Sequence, residues 1–215
     1  MIRVIHVITF DSQAKPSLRR ELGLAPATRF VECFARFHPQ KDHGNLISGA
    51  ELPTRHVNDV HFVLCGGHGI SYDNQDLAAR IEGAGLRKQF HLQGRRDDLP
   101  MVMAAMDVCT LTSSHGEAAP SSIAEATACE VPCVVTDVAD CRVLVGTTGV
   151  VVPPKTPGAL ADGWRTVLEM TPEVRSRLGA EARRRISEHF SLQKMVVEYE
   201  TLHSRLSERH PSTAR

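Results

Sequence analysis

Residues 107–137 read DVCTLTSSHGEAAPSSIAEATACEVPCVVTD, and the hydrophobic period changes twice within them. DVCTLTS (107–113) is a short β-rich apolar run. The stretch 121–129 has helical period behind Pro120, and PCVVTDV (132–138) is again continuously apolar. Strand, helix and strand on short links make a βαβ unit, whose strands lie parallel and are covered on both faces. The alternation extends outward from this unit. FVECFARF (30–37), VHFVLCG (60–66) and QFHLQG (89–94) precede it as candidate strands, and GVVVPP (149–154) follows. Helical stretches fall between strands at 44–55, 74–85 and 99–106, and after the last at 157–170. The pattern predicts an α/β fold, a Rossmann-like doubly wound parallel sheet, with ligands beyond the carboxyl ends of its strands.

Two more helices close the chain, at 172–189 and 191–206, the second with Ser191 as N-cap. A tail from 208 reads as disordered. At the other end, MIRVIHVIT reads as a strand. It runs into DSQAKPSLRRELGL, a polar linker and short amphipathic helix, so 1–16 stand apart as a vestigial strand and linker before a main domain at 17–190.

With 25 basic and 25 acidic residues the net charge is zero, which argues against a nucleic-acid partner and makes any anion site local. The six cysteines form no CxxC pair and sit in apolar runs, so they read as reduced core residues, and no metal is expected. No run approaches the roughly 20 apolar residues of a membrane helix, and the start lacks the pattern of a signal peptide, so a cytoplasmic location is expected. Arg175, Arg177, Arg183, Arg184 and Arg185 make 172–189 basic. Peripheral membrane contact is one reading of that face. A solvated surface is the other, because Glu173, Glu181 and Glu188 are interleaved.

Four post-strand loops carry the residues that suit chemistry. In the first, Arg36 and Lys41 stand five residues apart, where a guanidinium fork and a mobile ammonium can converge on a phosphate chain. After the second strand, Gly66 and Gly67 permit close backbone approach, although the next helix starts too late for a dinucleotide fingerprint. After the third, Gly94 and Arg95 could hold a base or phosphate, and Asp97 or Asp98 caps the following helix. After the fourth, Glu117 precedes a small-residue turn, and Ala119, Pro120, Ser121 and Ser122 lead into a helix that carries Glu125. A helix N-terminus offers free N–H groups and about half a positive charge to a diphosphate. Carboxylates on either side suit sugar or ribose hydroxyls. Read singly, Glu117 is an acid complementing a helix dipole, Glu125 a solvated helix residue, and Arg36 and Lys41 ordinary surface cations.

Taken in order over 17–206, these segments resemble family 4 of the GT-B retaining glycosyltransferases. The family's E-x7-E element fits Glu117 and Glu125, with Pro120 in its usual place and ACxVPxVxTD at 128–137. R-x4-K fits Arg36 and Lys41, and VVPP fits 151–154. The resemblance implies a nucleotide-sugar-binding half-domain whose donor is a UDP- or GDP-sugar, with no other cofactor. Arg36 and Lys41 would neutralise the diphosphate. Glu117 would hold the donor sugar, helped by amides near Ala119, and Glu125 would bind ribose. It also implies front-face transfer without a covalent sugar-enzyme intermediate and without metal.

Two departures stand against the pattern. Ala118 and Ala119 occupy the positions of a Gly-Phe pair, and Glu130 replaces a Gly that would close a helix in the left-handed conformation. In 215 residues there is no room for the acceptor-binding half of a GT-B enzyme. The expectation is therefore a truncated transferase, one partnered by a separately encoded N-terminal half, or one that self-associates. A non-catalytic nucleotide-sugar-binding or interaction module is the alternative, and an epimerase of related architecture the third reading.

Overall fold

The computed structural model describes residues 14–52 and 59–209. Six strands, β1 (Arg29–Phe34), β2 (Val60–Cys65), β3 (Phe90–Gly94), β4 (Val108–Leu111), β5 (Cys133–Thr136) and β6 (Val150–Val152), form one sheet in the order β3-β2-β1-β4-β5-β6. Every pairing is parallel. The doubly wound α/β sheet expected from the period changes is therefore present. Its order reverses between β1 and β4, which opens a crevice between the loops leaving those two strands.

Nine helices lie among the described residues: α1 (Ala14–Glu21), α2 (His43–Glu51), α3 (Gln75–Gly83), α4 (Leu99–Ala104), α5 (Ser121–Ala128), α6 (Cys141–Val145), α7 (Pro157–Leu168), α8 (Pro172–His189) and α9 (Leu192–Arg209). Side chains of a strand alternate between faces, so β1 divides its residues between two cores. Phe30 joins Val63, Cys109, Leu111 and Cys133 beneath α1, α4, α5 and α6. Val31 and Cys33 join Phe62, Leu64, Val134 and Trp164 beneath α2, α3 and α7. All six cysteines are buried free thiols, as their apolar settings predicted.

Several boundaries differ from the sequence reading. α1 begins at Ala14, and Ala14 and Leu18 are both in the core, so 14–16 belong to the domain and not to a linker. Residues 1–13, with the expected first strand, lie outside the described residues, as does part of the expected helix at 44–55. α6 was not anticipated, because CRVLV reads as a β-rich run until the core packing of Cys141, Leu144 and Val145 is known. α9 runs to Arg209, three residues past the expected end. The Ser191 hydroxyl accepts from the Lys194 amide at 3.3 Å, as its N-cap role requires. No helix of the described residues is long and apolar enough to cross a membrane.

The left-handed closure of α5 survives without glycine. Glu130 adopts φ +64°. Its amide donates to the Thr127 carbonyl and the Val131 amide to that of Ala126, both at 3.1 Å, which is the paired bonding of a Schellman motif. α8 rests directly on this turn. A Cβ at Gly179 would lie 2.0 Å from the Glu130 carbonyl oxygen, so only glycine lets the two backbones meet.

A candidate donor-binding crevice at the switch point

Loop 35–42, after β1, turns through a short 3-10 segment at Pro39–Lys41 and enters α2 at Asp42, whose carboxylate accepts from the Asn45 amide at 3.1 Å. Loop 112–120, after β4, faces it across the crevice. Hydrogen bonds join the two loops. The Thr112 hydroxyl donates to the Lys41 carbonyl at 2.7 Å, the Ser114 amide to the Gln40 carbonyl at 2.9 Å, and the Gln40 side-chain amide to the Gly116 carbonyl at 2.7 Å. These cross-links hold Lys41 against Glu117, with Nζ 2.5 Å from Oε1. The Ser113 hydroxyl donates to the same oxygen at 2.5 Å. Both charged side chains are largely buried, at 17% and 8% exposure, in loops that leave the carboxyl ends of β1 and β4.

Beside this pair is the start of α5. Pro120 occupies its N-cap with an extended backbone and no side chain caps it, so the amides of the first turn are open to an acceptor. Ser121 is exposed, Ser122 half-buried, and Ala118 and Ala119 are exposed on the approach to the helix. Glu125 is half-buried one turn further along. It lies close enough to Glu32 of β1 that its charge helps raise that carboxyl's pKa, after burial itself and Cys133. Behind Lys41, His43 is buried with both ring nitrogens unpaired among the described residues. Burial, with Lys41 and Arg80 adding to it, holds its pKa down at about 4, so the imidazole is neutral and adds no competing charge.

The remaining sequence candidates are distributed unevenly. Arg36 is exposed on the β1 loop and makes no ion pair among the described residues. Gly66 and Gly94 adjoin, the amide of one donating to the carbonyl of the other at 2.8 Å. The close approach that Gly66 permits is made by its own fold, since a Cβ there would lie 2.2 Å from the Ala35 carbonyl oxygen, whereas a Cβ at Gly67 would meet open space. Arg95 reaches into solvent at 85% side-chain exposure. Its neighbour Arg96 is the structured one, forking onto Asp98 at 2.7 and 2.8 Å and also pairing with Glu21 of α1. Asp98 holds the N-cap position of α4, but it makes no capping hydrogen bond because its carboxylate is committed to Arg96. The capping role expected of it is thus replaced by a link to α1. Gln40 and Ser113 were not singled out from the sequence, and the run of hydroxyls at 112–114 was the signal available.

Residues 14–185 match the family described as glycosyl transferases group 1. The fold superposes on HepE of Anabaena, solved in complex with UDP and glucose, with a TM-score of 0.78 and 26% identity, over 90% of this chain and 53% of that one. A sucrose-phosphate synthase from Thermosynechococcus elongatus shares the fold with a TM-score of 0.76 and 21% identity, over 97% of this chain and 52% of that one. The C-terminal domain of LpcC, a glycosyl transferase group 1 family protein from Francisella tularensis, is covered over 97% of its length by 86% of this chain, at a TM-score of 0.71 and 16% identity. The chain thus spans about half the length of the first two and nearly all of the isolated C-terminal domain. No curated protein matches it by sequence.

Proposed function

Because the chain belongs to the glycosyl transferases group 1 family, we propose that it is the donor-binding half of a retaining glycosyltransferase, holding a UDP- or GDP-sugar for transfer to a glycan or lipid-linked acceptor. The observation that carries this reading is the Lys41–Glu117 contact of 2.5 Å across the β1/β4 switch point, beside the uncapped N-terminus of α5. As the anomeric carbon's bond to the diphosphate breaks, negative charge grows on the leaving oxygen. On this reading Lys41 and the α5 amides receive that charge, and because the fold already holds them side by side little reorganisation is needed. An ammonium has three donors, so Lys41 can keep its bond to Glu117 and donate to a phosphate oxygen at the same time. Glu117 is held through Oε1 by Lys41 and Ser113, and its Oε2 is the oxygen we assign to donor hydroxyls. Arg36 is exposed and able to swing onto the outer phosphate, and Glu125 is read as the ribose contact. The acceptor hydroxyl attacks on the face the diphosphate leaves, and its proton passes to the departing phosphate.

Two further parts of the reading rest on exposed surfaces. Leu192, Val197, Tyr199, Leu202 and Leu206 of α9 are exposed apolar side chains, and we assign them to contact with an acceptor-binding half. The exposed Ala118 and Ala119 present no aromatic wall to a sugar, which favours donor binding without turnover as the second reading.

Calorimetric titration with UDP, GDP and their sugar conjugates tests the proposal. Saturable binding should weaken at least tenfold in Lys41→Ala and in Glu125→Ala. Absence of binding by the folded wild-type chain would refute it. Where binding is seen, release of free sugar from the donor separates a working transferase half from a passive binding module.

A further inference from the structure

The opposite edge of the sheet, where the strands begin, holds a concentration of charge that the crevice does not use. Asp107 immediately precedes β4 and is 1% exposed. Its Oδ1 receives Lys15 of α1 at 2.9 Å and Arg175 of α8 at 3.2 Å, with Arg29 at 3.8 Å, and its Oδ2 receives the Phe30 amide at 2.9 Å with Arg19 at 4.0 Å. Four cations thus converge on one carboxylate, an excess of three positive charges over that carboxylate among the described residues. Glu130 stands nearby, paired with Arg183 at 3.8 Å, so it does not redress the balance.

This excess borders an empty space. A cavity of about 170 Å³ is lined by Lys15, Asp107, Glu130, Arg175 and Ser176 on its polar side, the Glu130 carboxylate being the one shared with Arg183, and by Met106, Val131 and Pro132 among the residues on its apolar side. Of these, the Lys15 side chain is one-third exposed and that of Arg175 is 8% exposed. Burial holds the pKa of Lys15 below its ordinary value, Asp107 opposes that shift, and the charges of Arg175 and Arg19 add to it. Burial likewise lowers Arg175, with Arg29 contributing against Asp107. The Asp107 charge thus offsets the combined effect of burial and of the neighbouring cations only in part. An anion entering the cavity would meet Lys15 and Arg175 as charge-assisted donors and Ser176 as a hydroxyl donor, at a site where screening by water is reduced.

We propose that the cavity between α1, β4 and α8 is a second binding site, taking the phosphate or carboxylate group of a compact small molecule through Lys15, Arg175 and Ser176. The apolar wall limits the rest of that molecule to a few carbons. The site is at the far edge of the sheet from the Lys41–Glu117 crevice and does not depend on the function assigned there.

The test uses the full chain carrying Arg36→Ala and Lys41→Ala, so that phosphate binding at the crevice does not enter the reading. Its thermal midpoint is followed against inorganic phosphate and, separately, malonate, at ionic strength held constant with chloride. A saturable rise with either anion is expected, and which one saturates identifies the group recognised. Adding Lys15→Met should weaken the apparent affinity at least tenfold while Arg175 and the Phe30 amide still hold Asp107. Adding Ser176→Glu, at an exposed position, should abolish the rise by placing a carboxylate at the cavity mouth. No saturable rise with either anion, or a rise that Lys15→Met and Ser176→Glu leave unchanged, would overturn the proposal.

Discussion

Replacing Glu32 by Gln should stabilise the folded chain at neutral pH, by an amount that grows with pH. Glu32 is fully buried in the middle of β1, opposite Val63 of β2 and Cys109 of β4, and neither carboxylate oxygen has a hydrogen-bond partner among the described residues. The titratable groups facing it are the thiols of Cys65, Cys109, Cys129 and Cys133 and the Glu125 carboxylate, none of them cationic. Burial above all, then Cys133 and Glu125, pushes its pKa well above the ordinary 4.5. The sign follows from linkage. Below 4.5 both folded and unfolded chains carry the proton, and no penalty exists. As pH rises above 4.5 the unfolded chain loses that proton while the folded chain keeps it, so stability falls until the folded pKa is reached. Each pH unit in that window costs about 1.4 kcal/mol. Gln keeps the shape and cannot ionise. Urea unfolding of wild type and Glu32→Gln at pH 5 and pH 7 measures the difference. The advantage of the variant should be larger at pH 7 than at pH 5, by about 1.4 kcal/mol for each pH unit over which the folded chain keeps the proton. An advantage that does not change with pH would show that Glu32 is already ionised in the fold, and the reasoning would fail.

Two other expectations concern the turn on which α8 rests. Glu130→Gly should raise stability by about 0.5 kcal/mol, since relief of the left-handed strain exceeds both the added freedom of the unfolded chain and the loss of a long, half-exposed pair with Arg183. The urea midpoint reads it. Gly179→Ala should cost at least about 2 kcal/mol by the same measurement, because the added methyl group would meet a backbone carbonyl that no side-chain rotation can clear.

The sheet was legible in the sequence because its strands are buried on both faces and read as apolar runs, while α7 and α8 declare themselves through Pro157 and Pro172 at their first positions. The loops around the crevice were legible as a set of residue types at suggestive spacings. What could not be read was which of them meet. The Lys41–Glu117 contact spans 76 positions and exists because strand order places β1 beside β4. Arg95 and Arg96 are indistinguishable by composition, yet one reaches solvent and the other fastens α1 to α4, a choice made by where Glu21 comes to lie. Asp107 gave no local sign of its role, since its partners come from α1, β1 and α8. The helical state of α6 is similar, because only packing under the β5 and β6 edge decides it.

The placement of the cysteines has a practical consequence. Burial pushes the thiols of Cys33, Cys129 and Cys141 up to about 12, and all six sit beneath helices on one face of the sheet or the other. An alkylating reagent, which reacts by being attacked by an accessible thiolate, therefore finds almost nothing to react with until the chain opens. Labelling followed by mass measurement turns these side chains into internal clocks. Cys33 reports opening of the α2–α7 face, and Cys129 and Cys141 that of the α5–α6 face, so the order in which they are tagged would show whether the two halves of the core come apart together or in turn.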